Sequence, residues 1–228
     1  MPRAVQVFLA ILVANNLLAA SPRPYHLELQ STPASMTPML AKFGTIEVHV
    51  YPGGVRVESL VLDSFSRNGS STITLLNPVA RMYTEVPVNS FPAMIARMTG
   101  VRRDRNAEDV PKLIAPVAGK VNGIDARRYR LLYSRTEWID VWTTPIVPEN
   151  PQLRKIVDQF IRNFAPGAAP VMRRIPGNPV YVEVNTEEHP RFPLVQLKSL
   201  RFDANGEGEA LRVGSFYFRA PIIDAIWK

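Results

Sequence analysis

Apolar and polar positions alternate along most of this chain, the pattern of strands with one buried face. Residues 25–30 alternate, and residues 45–51 set Ile46, Val48 and Val50 against Glu47 and His49. After Pro52, Gly53 and Gly54 the alternation resumes, with Val55, Val57 and Ser59 opposite Arg56 and Glu58. Two such runs about a Gly-Gly turn predict a hairpin, the glycines supplying positive φ. A second hairpin is predicted from residues 71–76 and 81–86 around Asn77-Pro78, a turn initiator that excludes a helix there. Further strands are expected over 127–133 and 137–143, behind a tight turn at Asn122-Gly123, and over 180–184, 194–202 and 211–218.

Two stretches switch to helical period. Phe91, Met94, Ile95 and Met98 fall on one stripe, with Asn89 or Ser90 available as a cap and Gly100 at the C′ position. A longer helix is expected from Asn150-Pro151, where a cap residue precedes proline. Its stripe is Leu153, Ile156, Val157, Phe160, Ile161 and Phe164, and Pro166-Gly167 ends it. The segment up to Ala118, with Pro111 and Pro116, reads as irregular. The pattern predicts an α+β fold: about ten antiparallel strands in a meander, one face covered by two main amphipathic helices. With no internal linker or low-complexity run, residues 21–228 form a single domain.

Composition narrows the class. At 228 residues and 46% hydrophobic, the chain can bury a sizeable core. No apolar run is long enough for a multispanning membrane protein. The absence of cysteine excludes disulfide scaffolds, thiolate-bound zinc and thiol catalysis. The net charge of +7 comes from arginine, 21 against six lysines, which reflects either a GC-rich genome or affinity for an anionic partner. The basic residues scatter as Arg102, Arg103 and Arg105, then Arg127, Arg128 and Arg130, then Arg173 and Arg174, with no nucleic-acid-binding motif beside them. Nucleic acid is therefore not the expected partner.

The beginning of the chain has a secretory pattern. Arg3 precedes an apolar run over 5–14 interrupted only by Gln6, and Leu18-Ala19-Ala20 offers small residues before Ser21. A signal peptide over residues 1–20 is expected, hence export to the periplasm or beyond; the competing reading is a buried N-terminal helix.

No catalytic constellation stands out. His26 and His49 could meet across paired strands near Glu28 or Glu47 and bind a metal. Their spacing is no metal motif, however, and a solvent-facing histidine is the simpler reading. Ser64, Ser66, Asp63 and Asp140 lack a nucleophile elbow or a spaced partner. No cofactor is expected. Binding is better supported: Phe91, Met94, Ile95 and Met98 combine an apolar stripe with methionine adaptability, and Phe160 and Phe164 could line the same cavity. Trp138 and Trp142 share one strand face with Asp140 between them, and complete the candidate lining.

The hairpins over 44–58 and 71–87, the turn over 121–129 leading to the strand of Trp142, and the closing Phe218-Arg219-Ala220-Pro221 together resemble the bacterial LolA-like superfamily of exported proteins. The resemblance implies an unclosed, curved antiparallel half-barrel with helices across its concave face. It also implies an amphipathic ligand, a lipid or a lipoprotein acyl chain, with an anionic membrane surface or an envelope protein as further partners. The alternatives are an envelope interaction module with a packed core and, last, a metal-dependent or other hydrolase.

Overall fold

The computed structural model describes residues 24–31, 45–59, 63–99, 108–187, 190–202 and 207–220. The expected signal peptide, Gly100, Arg102, Arg103, Arg105 and His189 lie outside the described residues.

The first six strands are β1 (Tyr25–Ser31), β2 (Thr45–Tyr51), β3 (Gly54–Glu58), β4 (Asp63–Arg67), β5 (Thr72–Asn77) and β6 (Met82–Pro87). Helix α1 (Phe91–Thr99) precedes β7 (Lys112–Val121), β8 (Ile124–Leu132) and β9 (Trp138–Thr144). Then come α2 (Pro151–Phe164), α3 (Ala169–Met172), β10 (Asn178–Asn185), β11 (Phe192–Phe202), α4 (Glu207–Ala210) and β12 (Phe218–Arg219). The strands form one sheet in the order β12-β6-β5-β4-β3-β2-β1-β11-β10-β9-β8-β7. Every neighbouring pair is antiparallel except β12 and β6.

This corrects the α+β expectation. Among the described residues the open sheet has twelve strands rather than about ten and dominates the fold. Among the described residues the helices are four short segments, of 9, 14, 4 and 4 residues, not two main helices forming a layer of comparable weight.

Each difference has a local cause. Pro116 reads as irregular chain in sequence, but among the described residues β7 is an edge strand paired only with β8, and its register shifts between Ile114 and Val117. A proline at such a position removes no necessary ladder bond. Strand β4, Asp-Ser-Phe-Ser-Arg, carries no aliphatic residue to announce it. Its serines are nonetheless buried and bonded: the Ser66 hydroxyl donates to the Thr72 carbonyl at 2.6 Å and accepts from Gln152 Nε2 at 2.8 Å. Of the strand expected over residues 211–218, only Phe218 pairs, and it does so together with Arg219 alongside Met82 and Tyr83. Gly54 is required for space rather than for positive φ, since a Cβ there would lie 2.4 Å from the Ser66 carbonyl oxygen.

One sheet face carries the main core. Leu27, Leu29, Val48, Val50, Leu75, Tyr129, Leu131, Ile139, Val141, Val182 and Val184 belong to it. Phe91 and Met94 of α1 and Leu153, Val157 and Ile161 of α2 pack onto the same cluster. Helix α2 starts cleanly because Asn150 Oδ1 accepts from the backbone N–H of Gln152 at 2.9 Å and of Leu153 at 3.0 Å. Gln152, buried, adds a bond to the Ser70 carbonyl at 3.1 Å, which anchors the helix start to the β4–β5 turn. On the opposite face, Phe65, Leu76 and Leu211 form a second small cluster with Tyr51, Tyr83, Val213 and Tyr217 packed against it. The segment following α4 thus lies across strands β4 to β6 from the outside. Arg67 holds it there, donating from Nε and Nη2 to the Leu211 carbonyl at 3.2 and 3.0 Å.

Candidate functional site

The candidate lining residues divide between the two sheet faces. Phe91 and Met94 are buried in the core shared with α2. The side chains of Ile95, Met98, Phe160 and Phe164 lie outside the described residues. Trp142 packs against the margin of the main cluster, and Trp138 does not join it. Strand alternation directs Ile139 and Val141 into the main core, and so sends Trp138, Asp140 and Trp142 to the other side.

There the tryptophans meet arginines. In the β8–β9 register Arg128 stands opposite Trp142 and Arg130 opposite Asp140. The Arg128 guanidinium lies 5.8 Å from the Trp142 ring centroid, and that of Arg130 lies 4.6 Å from Trp138. Arg130 also grips the buried Asp140 carboxylate through Nε at 2.7 Å and Nη2 at 2.6 Å, a fork that raises the arginine's own pKa. Trp142 extends over Gly119, where a Cβ would sit 2.7 Å from its Cζ3. Beyond β9, Tyr181 bonds Glu183 at 3.1 Å, and burial, with Glu183 adding to it, pushes its phenol up to about 12. These cations are engaged within the sheet.

A second group on this face is built from β1, β2 and β3. The register sets His26 opposite His49 and His49 opposite Arg56. Direct cross-strand neighbours hold their Cβ atoms about 5 Å apart, so the two imidazoles stack, with centroids 4.2 Å apart and planes 4° from parallel. Tyr51 continues the stack 6.4 Å from His49. Both histidines face one carboxylate: His26 Nε2 and His49 Nε2 each lie 3.5 Å from Glu47 Oε2. His49 Nε2 is also 3.5 Å from Glu58 Oε2, while Glu58 Oε1 is 2.5 Å from Arg56 Nε. Arg56 reaches on to Asp63 at 2.9 Å and to the Ala210 carbonyl at 3.1 Å.

The electrostatics follow from this packing. The polar contact with His49 lowers the Glu58 pKa, assisted by Arg56 and opposed by burial. Asp63 is raised by burial despite Arg56. The side chain of His26 is only 9% exposed and that of His49 22%, so the simpler solvent-facing reading does not hold. The pairing of the histidines with Glu47 was legible from alternation. Glu58 and Arg56 were not joined to them, although counting back through the Gly53-Gly54 turn would have placed both beside His49.

No protein-family model matches the chain, and no curated protein matches it either. Among solved structures, that of an uncharacterized conserved protein from Thermus thermophilus aligns over 96% of each chain at 8% identity, with a TM-score of 0.48.

Proposed function

We propose that this is an exported, non-enzymatic protein that binds a lipid or acyl chain between the sheet and helices α1 and α2. The observation that carries the reading is the apolar layer in which Phe91 and Met94 meet Leu153, Val157 and Ile161 over the valine and leucine face of the sheet. Nearly all its partners are hydrocarbon, and methionine repacks readily around a flexible chain. Burial of an acyl chain is worth about 0.8 kcal/mol per CH₂, so a C16 chain contributes on the order of 10 kcal/mol before ordering costs. Export rests on Arg3, the apolar run over 5–14 and Ala19-Ala20.

The test is native mass spectrometry of the protein purified from a bacterial periplasm, with lipid analysis of its solvent extract. One-to-one lipid adducts are expected. A bare polypeptide mass, both as purified and after incubation with phosphatidylglycerol vesicles, overturns the reading. That second outcome would favour an envelope interaction module with a filled core. Leu75, Leu131, Val141 and Ile175, each at 0% exposure, support this alternative.

A further inference from the structure

We propose that His26, Glu47 and His49, with Glu58 as fourth ligand, form a binding site for a divalent transition metal of the zinc type across strands β1, β2 and β3. The proposal is independent of lipid binding, because these residues lie on the sheet face opposite the helices.

The donor set is the first argument. Two imidazole nitrogens with carboxylate oxygens suit Zn²⁺, Co²⁺, Ni²⁺ and Cu²⁺, and are a poor match for the all-oxygen shells of Ca²⁺ and Mg²⁺. One donor atom from each of His26, Glu47 and His49 can be chosen so that all lie within 4.8 Å of one another.

The spacing is the second. Metal–ligand bonds of about 2.0–2.1 Å place neighbouring donors of a tetrahedral site about 3.3 Å apart. The three contacts among His26, Glu47, His49 and Glu58 are each 3.5 Å. His26, Glu47 and His49 already gather their donors within 4.8 Å, and Glu58, which approaches the group at His49, swings in to complete the shell. The other required change is a tilt of the two rings out of their parallel stack, so that each Nε2 lone pair points at one ion.

The third is how the ligands are held. The β1–β2–β3 ladder fixes both histidines at the backbone. Glu58 divides its oxygens, Oε1 on Arg56 and Oε2 towards His49, so the guanidinium orients the carboxylate without occupying the ligating atom. Arg56 is itself anchored by Asp63 and the Ala210 carbonyl, an outer shell of the kind that metal sites use. The two carboxylates match the double charge of the ion. His49 Nε2 is buried between two carboxylates without a hydrogen bond of good geometry to either, so coordination would serve that atom better than its present contacts do.

Isothermal titration of tag-free protein with Zn²⁺ near neutral pH tests the site, with Co²⁺ as a visible probe of four-coordination. Saturable one-to-one binding is expected. H49A should weaken it by more than about 100-fold, beyond the about 10–100-fold that loss of an outer-shell partner costs. E47Q should weaken it strongly, R56A by about tenfold, and H189A not at all. Zn²⁺ should raise the melting temperature of the wild type and not of H49A, which controls for H26A failing to fold around its buried ring. The proposal falls if wild type shows no saturable binding below about 1 mM, an affinity of only about 4 kcal/mol. It falls equally if H49A and E47Q bind as tightly as wild type, or if binding is lost in H189A alone.

Discussion

Arg130 and Asp140 face each other across β8 and β9 and are joined by two nearly parallel hydrogen bonds of 2.7 and 2.6 Å. The carboxylate is 2% exposed, so it depends on the arginine in place of water. Removing one partner from such a pair leaves a buried charge uncompensated, at a cost of about 3–5 kcal/mol in fully buried cases. Arg130 is 30% exposed and Arg128 remains 3.9 Å from the same carboxylate, so R130A should cost about 3 kcal/mol, the low end of that range. R130A/D140N should recover part of the loss. Urea denaturation of the three proteins measures this, and equal midpoints for wild type and R130A would refute it.

Gly119 should not accept a side chain. Its Cβ would stand 2.7 and 3.0 Å from two atoms of the Trp142 indole, too close without displacing the ring. G119A should destabilise by about 1–3 kcal/mol, as overpacking does, and shift tryptophan fluorescence. W142L should restore most of the loss in the double variant. No rescue would mean that the strain lies in the backbone rather than against the ring.

N150A removes the acceptor for two backbone N–H groups at the start of α2. A loss of about 1 kcal/mol is expected, while N150S keeps a cap oxygen without burying a charge in this site and should lose less, giving up only the Nδ2 contact to the Tyr51 carbonyl. Thermal melts of both variants decide it: indistinguishable losses would show that the cap bonds contribute nothing.

Glu58 should leave a signature in acid. Its folded pKa lies below the unfolded value of about 4.3, so its contribution is complete above that pH and is lost as pH falls through the lower folded value. Glu58 is partly exposed, and screening limits the effect to less than about 1 kcal/mol. E58Q should be less stable than wild type at neutral pH with chelator present, and the difference should close in acid. The substitution also relieves Asp63, whose pKa Glu58 helps to raise. A gap that stays constant across pH would contradict the assignment.

How much of this was legible depended on how cleanly each element showed its period. The β2–β3 and β5–β6 hairpins and helix α2 were readable because alternation, turn residues and a cap agreed there. Strand β4 was not, since Ser64 and Ser66 are buried through hydrogen bonds that no hydropathy pattern records. The tryptophans were read on the right strand, but their arginine partners were not, and only Trp142 packs against the cluster that holds Phe91 and Met94. Trp138-Ile139-Asp140-Val141-Trp142 offers two apolar sets, and their aromatic bulk outweighed the charge of Asp140 in the sequence reading. Its neighbours across β8, Arg128 and Arg130, belong to the same polar face. The histidine pair followed from two alternating strands, but its carboxylate and arginine partners depended on the register of a third.

The two-residue strand β12 has a consequence larger than its length. An open sheet ends in two rows of unpaired backbone groups, each a template on which another chain can build. At one end, β7 discourages such growth with Pro116, a register shift and the charges of Lys112 and Lys120. At the other, β6 carries Met82, Tyr83 and Val86 beside Glu85 and Pro87, and Phe218 and Arg219 cover part of its rim, Arg219 pairing with Glu85 at 3.4 Å. Arg67, by fastening Leu211 to the outer face, keeps that short strand in place. A guanidinium three strands away thereby guards the protein against edge-to-edge aggregation.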